Sequence, residues 1–402
     1  MPHGTAAPSR WIRPAALAFL ILAPAWGQPQ DPKSLGFEKQ FVIEIRNPSP
    51  LALENYPVIL NVEEIRAFAP DFNTYNYAIF EETGGEYRLV LSQADDLNKD
   101  RIHDEIVFVR TLPPASTTKL KCYYSPKGSF QLMMSTPRAF ARLGGDPAGA
   151  SISWESNMAA FKFVHGRIEV YGKLYGGLVL TKLRGDDAVL QEWGMNLLAG
   201  GVSSGLGGLS LWDGKTRVPL TGPSGTAGVE IQRTVLAAGP LRALVKVEYS
   251  GIHAGGSEYG AVVFLSAFAD NVFSREDVII KPKTGRPSVL SAGIQKLEQE
   301  EVTFDKDKGF LSAWGRGTGS AGEVGLAVLF VPAEFAGLDE TGPDRSIKIN
   351  ARPGKKQTFW TVGGWGRGIV TAVPPAAKNW AAAAGELASK LRVHVGVAYR
   401  AD

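Results

Sequence analysis

Residues 152–173 read ISWESNMAAFKFVHGRIEVYGK, inside a longer run, 135–212, that opens with STPRAFARLGGD and closes with QEWGMNLLAGGVSSGLGGLSLW. The last seven, RIEVYGK (Arg167 to Lys173), have the alternation of a strand. Successive strand side chains point to opposite faces, so Arg167, Glu169, Tyr171 and Lys173 share one face and Ile168, Val170 and Gly172 share the other. The apolar face packs. The polar face carries a guanidinium, a carboxylate, a phenol and an amine along roughly 20 Å, at about 3.3 Å per residue. In an isolated strand such a face is ordinarily solvated and laced by cross-strand ion pairs. Here Trp154 and Glu155 precede it and a glycine-rich region follows, which makes it a candidate site.

The same style extends in both directions. FVIEIRN, YPVILNV, YNYAIFEE, YRLVLSQ, EIVFVRTL and TKLKCYYSP are short apolar or alternating runs set between turn residues. They form an N-terminal β module over residues 28–130. From 131 to 402 further runs follow, among them AAFKFV, GLSLWD, RALVKVEYS, GAVVFLSAFA, VGLAVLFV and KQTFWTVGG. No long amphipathic pattern interrupts them until NWAAAAGELASKL, where Trp380, Ala384, Leu387 and Leu391 fall at helical spacing. A last strand is expected over Arg392 to Tyr399. The fold class is therefore all-β: a large antiparallel β-sandwich, supersandwich-like, with an N-terminal β module and one C-terminal helix. No repeat of propeller or solenoid period is present.

A chain of 402 residues has room for one or two domains, and 43 basic against 40 acidic residues names no charged partner. There is no basic stripe, so a nucleic-acid partner is not expected. Arg10 and Arg13, the apolar stretch from Pro14 to Pro24 and the small residues Ala25 and Gly27 read as an export signal over residues 1–27. A bacterial periplasmic or secreted location follows, with no membrane attachment once the signal is removed. The single cysteine, Cys122, rules out an intramolecular disulfide and reads as a buried apolar residue.

Few motifs carry chemistry by themselves. Asp96, Asn98, Asp100 and Asp104 place oxygens as a calcium loop does, but Arg101 stands where the sharp turn wants glycine and Val107 where the last glutamate belongs. The segment reads first as a polar β-turn closed by Asx hydrogen bonds, with a calcium site as the alternative. The glycines at 200, 201, 205, 207 and 208 lack the Lys-Ser/Thr of a phosphate loop and precede a strand, not a helix, so they suit close backbone approach. None of the histidines sits in a dense ligand spacing; His165 lies nearest the polar strand and is the candidate for proton transfer, His253 could reach a cleft from a loop, and His394 reads as packing or surface. Glu155, Glu169, Glu192, Asp186 and Asp187 could supply a glycosidase pair. Trp154, Trp193, Trp212, Trp314, Trp360 and Trp365 could stack on sugar rings, although core is the default place for a tryptophan in a β protein.

The segments SQADDLNKDRIHDEIVF, PRAFARLGG, WESNMAAFKFV, RIEVYGK, EWGMNLLAGGVSSGLGGLSLW, AAGPLRALVKVEY and TFWTVGGWG, in that order, resemble the landmarks of a secreted bacterial family, domain of unknown function 4861. The resemblance spans nearly the whole mature chain. It implies a carbohydrate-related role, since members resemble exported proteins encoded beside enzymes that degrade uronate-containing polysaccharides. It supplies no mechanism. This chain departs from the pattern in three places. The stretch GDDAVLQ just before EWGMN lacks the histidine that relatives tend to carry there, Asn196 stands where relatives carry aspartate, and Lys99 or Arg101 replaces a turn glycine.

The expected partner is an oligosaccharide or polysaccharide, and three readings follow. In the first, the chain is a lyase or dehydratase on acidic glycans, which needs a group that neutralises the uronate carboxylate, a base for the C5 proton and an acid for the leaving oxygen. Lys173, Arg167 or Asn196 could neutralise, His165 or Tyr171 could move the proton, and Glu155 could orient one of them. Arg167, Glu169, Trp154, Glu192, Trp193 and Asn196 would line the subsite. In the second, the same cleft binds glycans without chemistry. In the third, two of the carboxylates hydrolyse a glycosidic bond.

Overall fold

The computed structural model describes residues 32–130, 136–144, 151–164, 166–183, 186–214, 216–220, 229–254, 256–283, 288–371 and 375–402. The expected export signal and His165 lie outside them.

The described chain is built on five antiparallel sheets. The largest has eight strands. It runs from the edge strand Glu230–Ala238 through Arg242–Ala254, Ser257–Phe268, Phe273–Pro282, Lys356–Trp365, Glu323–Leu329 and Phe310–Arg316 to Glu298–Asp305. Two five-stranded sheets cover one of its faces. The front sheet is Gly194–Asn196, Arg167–Lys173, Ala160–Val164, Ser151–Ser156 and Ala139–Leu143, in spatial order. The flanking sheet is Thr216–Pro219, Leu206–Asp213, Ser288–Gln295, Asp344–Ala351 and Phe335–Asp339. All three sheets contribute to a single core, with Trp154, Phe161, Val170 and Met195 from the front sheet, Leu209 and Leu290 from the flanking sheet, and Val245, Leu326 and Phe359 from the large one. This is the stacked all-β sandwich that the alternating runs predict.

The front and flanking sheets meet where Ile168 bridges Gly205. Gly205 has φ +82°, and a Cβ there would stand 1.8 Å from the Ile168 carbonyl oxygen. The glycine run therefore serves close backbone approach between two sheets. On the far side of the large sheet, the helix Ala377–Leu391 lays Trp380, Ala381, Ala384 and Ala388 against Phe310, Trp314 and Leu329. Gly364 lets this happen: a Cβ on it would fall 2.5 Å from the Trp380 ring.

The N-terminal module is a smaller sandwich. Its five-stranded sheet has the order Gly396–Arg400, Lys39–Asn47, Ser116–Tyr124, Tyr77–Thr83, Glu86–Val90, and a three-stranded sheet of Leu53–Asn61, Glu105–Leu112 and Gln93–Asp95 faces it. Cys122 is a free thiol buried in that core. A second, short helix, Val62–Phe68, was not anticipated. Asn61 caps it by accepting from the Glu63 and Glu64 amides. Gly396–Arg400, the last of the described strands, pairs with Lys39–Asn47, the first of them, with Ile43 opposite Tyr399.

The segment SQADD joins the two bodies. Gln93 Oε1 accepts from the Leu241 and Arg242 amides at 2.6 and 2.9 Å, and the buried Arg242 guanidinium pairs with Asp95 and Glu105, each at 2.6 Å. Asp96, Asn98, Asp100 and Asp104 do not converge as calcium ligands. Their oxygens accept backbone N–H groups of the same turn: Lys99 and Arg101 to Asp96, Asp100 to Asn98, Ile102 to Asp100 and Leu97 to Asp104. Among the described residues no group of three or more His, Cys, Asp or Glu could hold a metal ion. Lys99 and Arg101 sit at φ +65° and +73°, a conformation that glycine adopts more readily.

Candidate functional site

The front sheet turns Ile168, Val170 and Gly172 inward and Arg167, Glu169, Tyr171 and Lys173 away from the large sheet, as the alternation predicts. The outward face is nevertheless buried along the whole strand. The segment 174–193, described except for residues 184 and 185, crosses it like a strap. Val179, Leu180 and Trp193 from the strap pack with Tyr171 and Ala160.

Lys173 and Glu155 anchor that strap. Lys173 Nζ donates to Glu155 Oε2, Ser156 O and Gly177 O, each at 2.7 Å. Glu155 accepts from the Val179 and Leu180 amides, both at 2.8 Å. Both side chains are 0 % exposed. Burial pulls the Lys173 ammonium below its usual range, against the opposing pull of Glu155. All three ammonium donors are used, and neither residue reaches solvent. Both were expected in the chemistry; the structure gives them a structural role.

Arg167 is likewise spent on backbone. Its guanidinium donates to the Leu198, Gly200 and Gly201 carbonyls and so closes the glycine loop. Trp154, expected as a sugar platform, lies in the inter-sheet core at 0 % exposure, stacked on Phe161, with its indole N–H on Ser274 Oγ at 2.9 Å. Trp314, Trp360 and Trp365 are buried too. Trp193 packs edge-on against Tyr171 at 5.6 Å, and Glu192 is exposed beside it. His103 is held by Thr74 at 2.9 Å, and His253 and His394 are exposed elsewhere.

What the fold brings together is a network of five residues. Lys162 stands directly opposite Glu169 in the register, and Tyr171 opposite Asn196. The Tyr171 hydroxyl donates to Asp187 Oδ2 at 2.7 Å. Asn196 Nδ2 donates to Glu169 Oε2 at 2.7 Å and reaches Asp187 Oδ1 at 3.4 Å. Lys162 Nζ lies 3.4 Å from Asp187 and 3.9 Å from Glu169. Asn196 fixes the strap in turn, since its own amide donates to the Asp187 carbonyl at 2.7 Å. Burial raises the Glu169 carboxyl, opposed by Lys162, Arg167 and Asn196 and reinforced by Asp187. Burial and the Asp187 charge raise the Tyr171 phenol, which keeps its proton. Lys162 and Asp187 are 25 % and 20 % exposed, so they form the mouth of the network while Glu169 lies behind it.

Lys162 escapes the sequence reading, although its place between Phe161 and Phe163 on the opposite face was a usable signal. Asp187 is one of five carboxylates that spacing could not separate. Chemically the cluster offers a phenol bonded to a carboxylate, a second carboxyl of raised proton affinity, and an ammonium between the two.

Fold and site together define a stacked all-β sandwich with an acid–base cluster roofed by a strap on its front sheet. The chain belongs to the family described as domain of unknown function (DUF4861), whose model matches residues 45–397. No curated protein matches it. Among solved structures it is similar to an alpha-mannosidase from Enterococcus faecalis V583, at TM-score 0.46 and 8 % identity, over 90 % of this chain and 46 % of that one. It is also similar to a protein in the glycosyl hydrolase family 38 from Enterococcus faecalis, at TM-score 0.47 and 7 % identity, over 90 % of this chain and 48 % of that one. The chain thus spans about half the length of each.

Proposed function

We propose that this protein is a carbohydrate-active enzyme that takes acidic, uronate-containing oligosaccharides at the mouth formed by Lys162 and Asp187 and acts on them by β-elimination, as a lyase or dehydratase. The observation that carries this reading is the 2.7 Å hydrogen bond from Tyr171 to Asp187 beside Lys162. The carbohydrate class comes from the resemblance of the chain's landmarks to a family associated with such glycans.

In the elimination, the Asp187 carboxylate takes the C5 proton, the C5–H electron pair becomes the C4–C5 double bond, and the C4–O bond breaks. Tyr171 gives its proton to the departing oxygen. Asp187 then returns the proton it took to Tyr171 along their existing hydrogen bond, which restores both groups. Lys162 stabilises the negative charge that builds on the substrate carboxylate as the C5 proton leaves. Asn196 and Trp193 hold Asp187 and Tyr171 in place.

A second reading, hydrolysis, is favoured by one specific feature: Glu169 and Asp187 share the Asn196 amide, and Glu169 holds its proton more tightly than usual. Such a pair could act as acid and nucleophile if their carboxyl groups stand about 5–5.5 Å apart.

Incubation with a panel of uronate oligosaccharides, read by mass spectrometry, separates the readings. Loss of one water, or cleavage leaving an unsaturated end, supports elimination. Cleavage with water added moves the assignment to the carboxylate pair. Binding without any mass change removes catalysis and leaves a glycan-binding protein.

A further inference from the structure

Every charged side chain of the outward front-sheet face described so far has a partner. Lys162 is held by Asp187 and Glu169, Lys173 by Glu155, and Arg167 by Glu169 and three carbonyls. Arg142 has none: among the described residues its side chain makes no hydrogen bond or ion pair. It is half-buried on the edge strand Ala139–Leu143, where Ala139 and Ala141 turn into the core and Phe140 and Arg142 turn outward. The register sets it in a transverse row. Arg142 is opposite Ser153, Ser153 opposite Lys162, and Lys162 opposite Glu169. At about 4.8 Å between strands, the backbones of Arg142 and Lys162 are roughly 10 Å apart. Only the small Ser153 stands between them on this face. Two long cationic side chains can close on one guest across such a gap. Arg142 is near enough to Tyr171 for its charge to bear on the phenol.

A half-buried guanidinium left unpaired beside an otherwise neutralised cluster is a waiting anion site, and its planar fork matches a carboxylate in two parallel hydrogen bonds. We propose that Arg142 is the specificity-determining residue of this face, receiving a sugar carboxylate between itself and Lys162 and thereby setting the acidic class of the substrate. Such recognition presupposes the glycan reading of the face but not the elimination chemistry.

The test is titration calorimetry with trigalacturonate and with its fully methyl-esterified, neutral form, using wild type, Arg142→Gln and Arg142→Lys. Wild type binds the acid more tightly than the ester. Arg142→Gln lowers affinity for the acid by about tenfold or more, as expected for a lost charge-assisted pair, and leaves the ester unchanged. Arg142→Lys, which keeps the charge but not the fork, falls between. Unchanged melting temperatures show that both variants fold. Equal affinity of Arg142→Gln and wild type for the acid overturns the assignment, and so does equal loss for acid and ester. Arg142-dependent binding without turnover keeps Arg142 and removes the elimination reading. Turnover by Arg142→Gln at wild-type affinity removes Arg142 and leaves elimination standing.

Discussion

Lys173 Nζ lies 2.7 Å from Glu155 Oε2, and no part of either side chain is open to solvent. Removing one member leaves a buried, uncompensated charge, which typically costs about 3–5 kcal/mol. Lys173→Met is therefore expected to destabilise the fold by that amount in urea titration. Lys173→Met combined with Glu155→Gln loses less than the sum of the single changes. Additive losses would mean that the pair is not coupled.

Tyr171→Phe and Asp187→Asn test the proton cycle. Each should lower kcat on a uronate oligosaccharide roughly 10²- to 10⁴-fold, the usual scale for a positioned acid or base. Tyr171→Phe also loses one hydrogen bond, about 1 kcal/mol of stability. Oligosaccharide affinity should stay near wild type for both. Turnover within a few-fold of wild type in either variant removes that residue from the chemistry.

Gly205→Ala would set a methyl 1.8 Å from the Ile168 carbonyl at a backbone angle of φ +82°. Backbone on both sides prevents relief by rotamer change, so a loss of at least about 3 kcal/mol is expected, from overpacking and left-handed strain together. Differential scanning calorimetry would read it as a clear fall in Tm.

Glu276 supplies a pH dependence. It is wholly buried in the large sheet, with Oε1 held by Thr361 at 3.0 Å and Oε2 without a partner among the described residues, and burial lifts its pKa from 4.5 to about 8. The folded value lies above the unfolded one. Its contribution is therefore fully present below about pH 4.5 and is lost as pH rises through about 8. Glu276→Gln, neutral at every pH, should flatten that decline and be the more stable form at pH 9. Parallel stability–pH curves for the two proteins would contradict it.

Much of this was legible in the chain. Alternation placed RIEVYGK as a strand and divided its faces correctly, because burial of one face fixes which side chains turn inward. The pattern could not reveal that both faces are covered. The strap over Tyr171 and Lys173 is irregular backbone held by Glu155, and no periodicity announces such a segment. For the same reason Glu155 and Lys173 read as chemistry when they are anchors. Asp187 could not be singled out from its neighbours, since its meeting with Tyr171 depends on how the strap folds back. Val62–Phe68 was missed for lack of length, although Asn61 followed by Glu63 and Glu64 is a helix-start signal.

The pairing of Gly396–Arg400 with Lys39–Asn47 has a consequence for how the chain is made. A ribosome releases the first strand long before its edge partner exists. Until Gly396–Arg400 emerges, Lys39–Asn47 offers open N–H and C=O groups, the kind of unpaired edge that invites association with other chains. The module at the front of the sequence is thus the one completed last. Lys121 closes it onto Asp402, 2.8 Å away, so the N-terminal sandwich reaches its finished form only after translation of the large sheet is over.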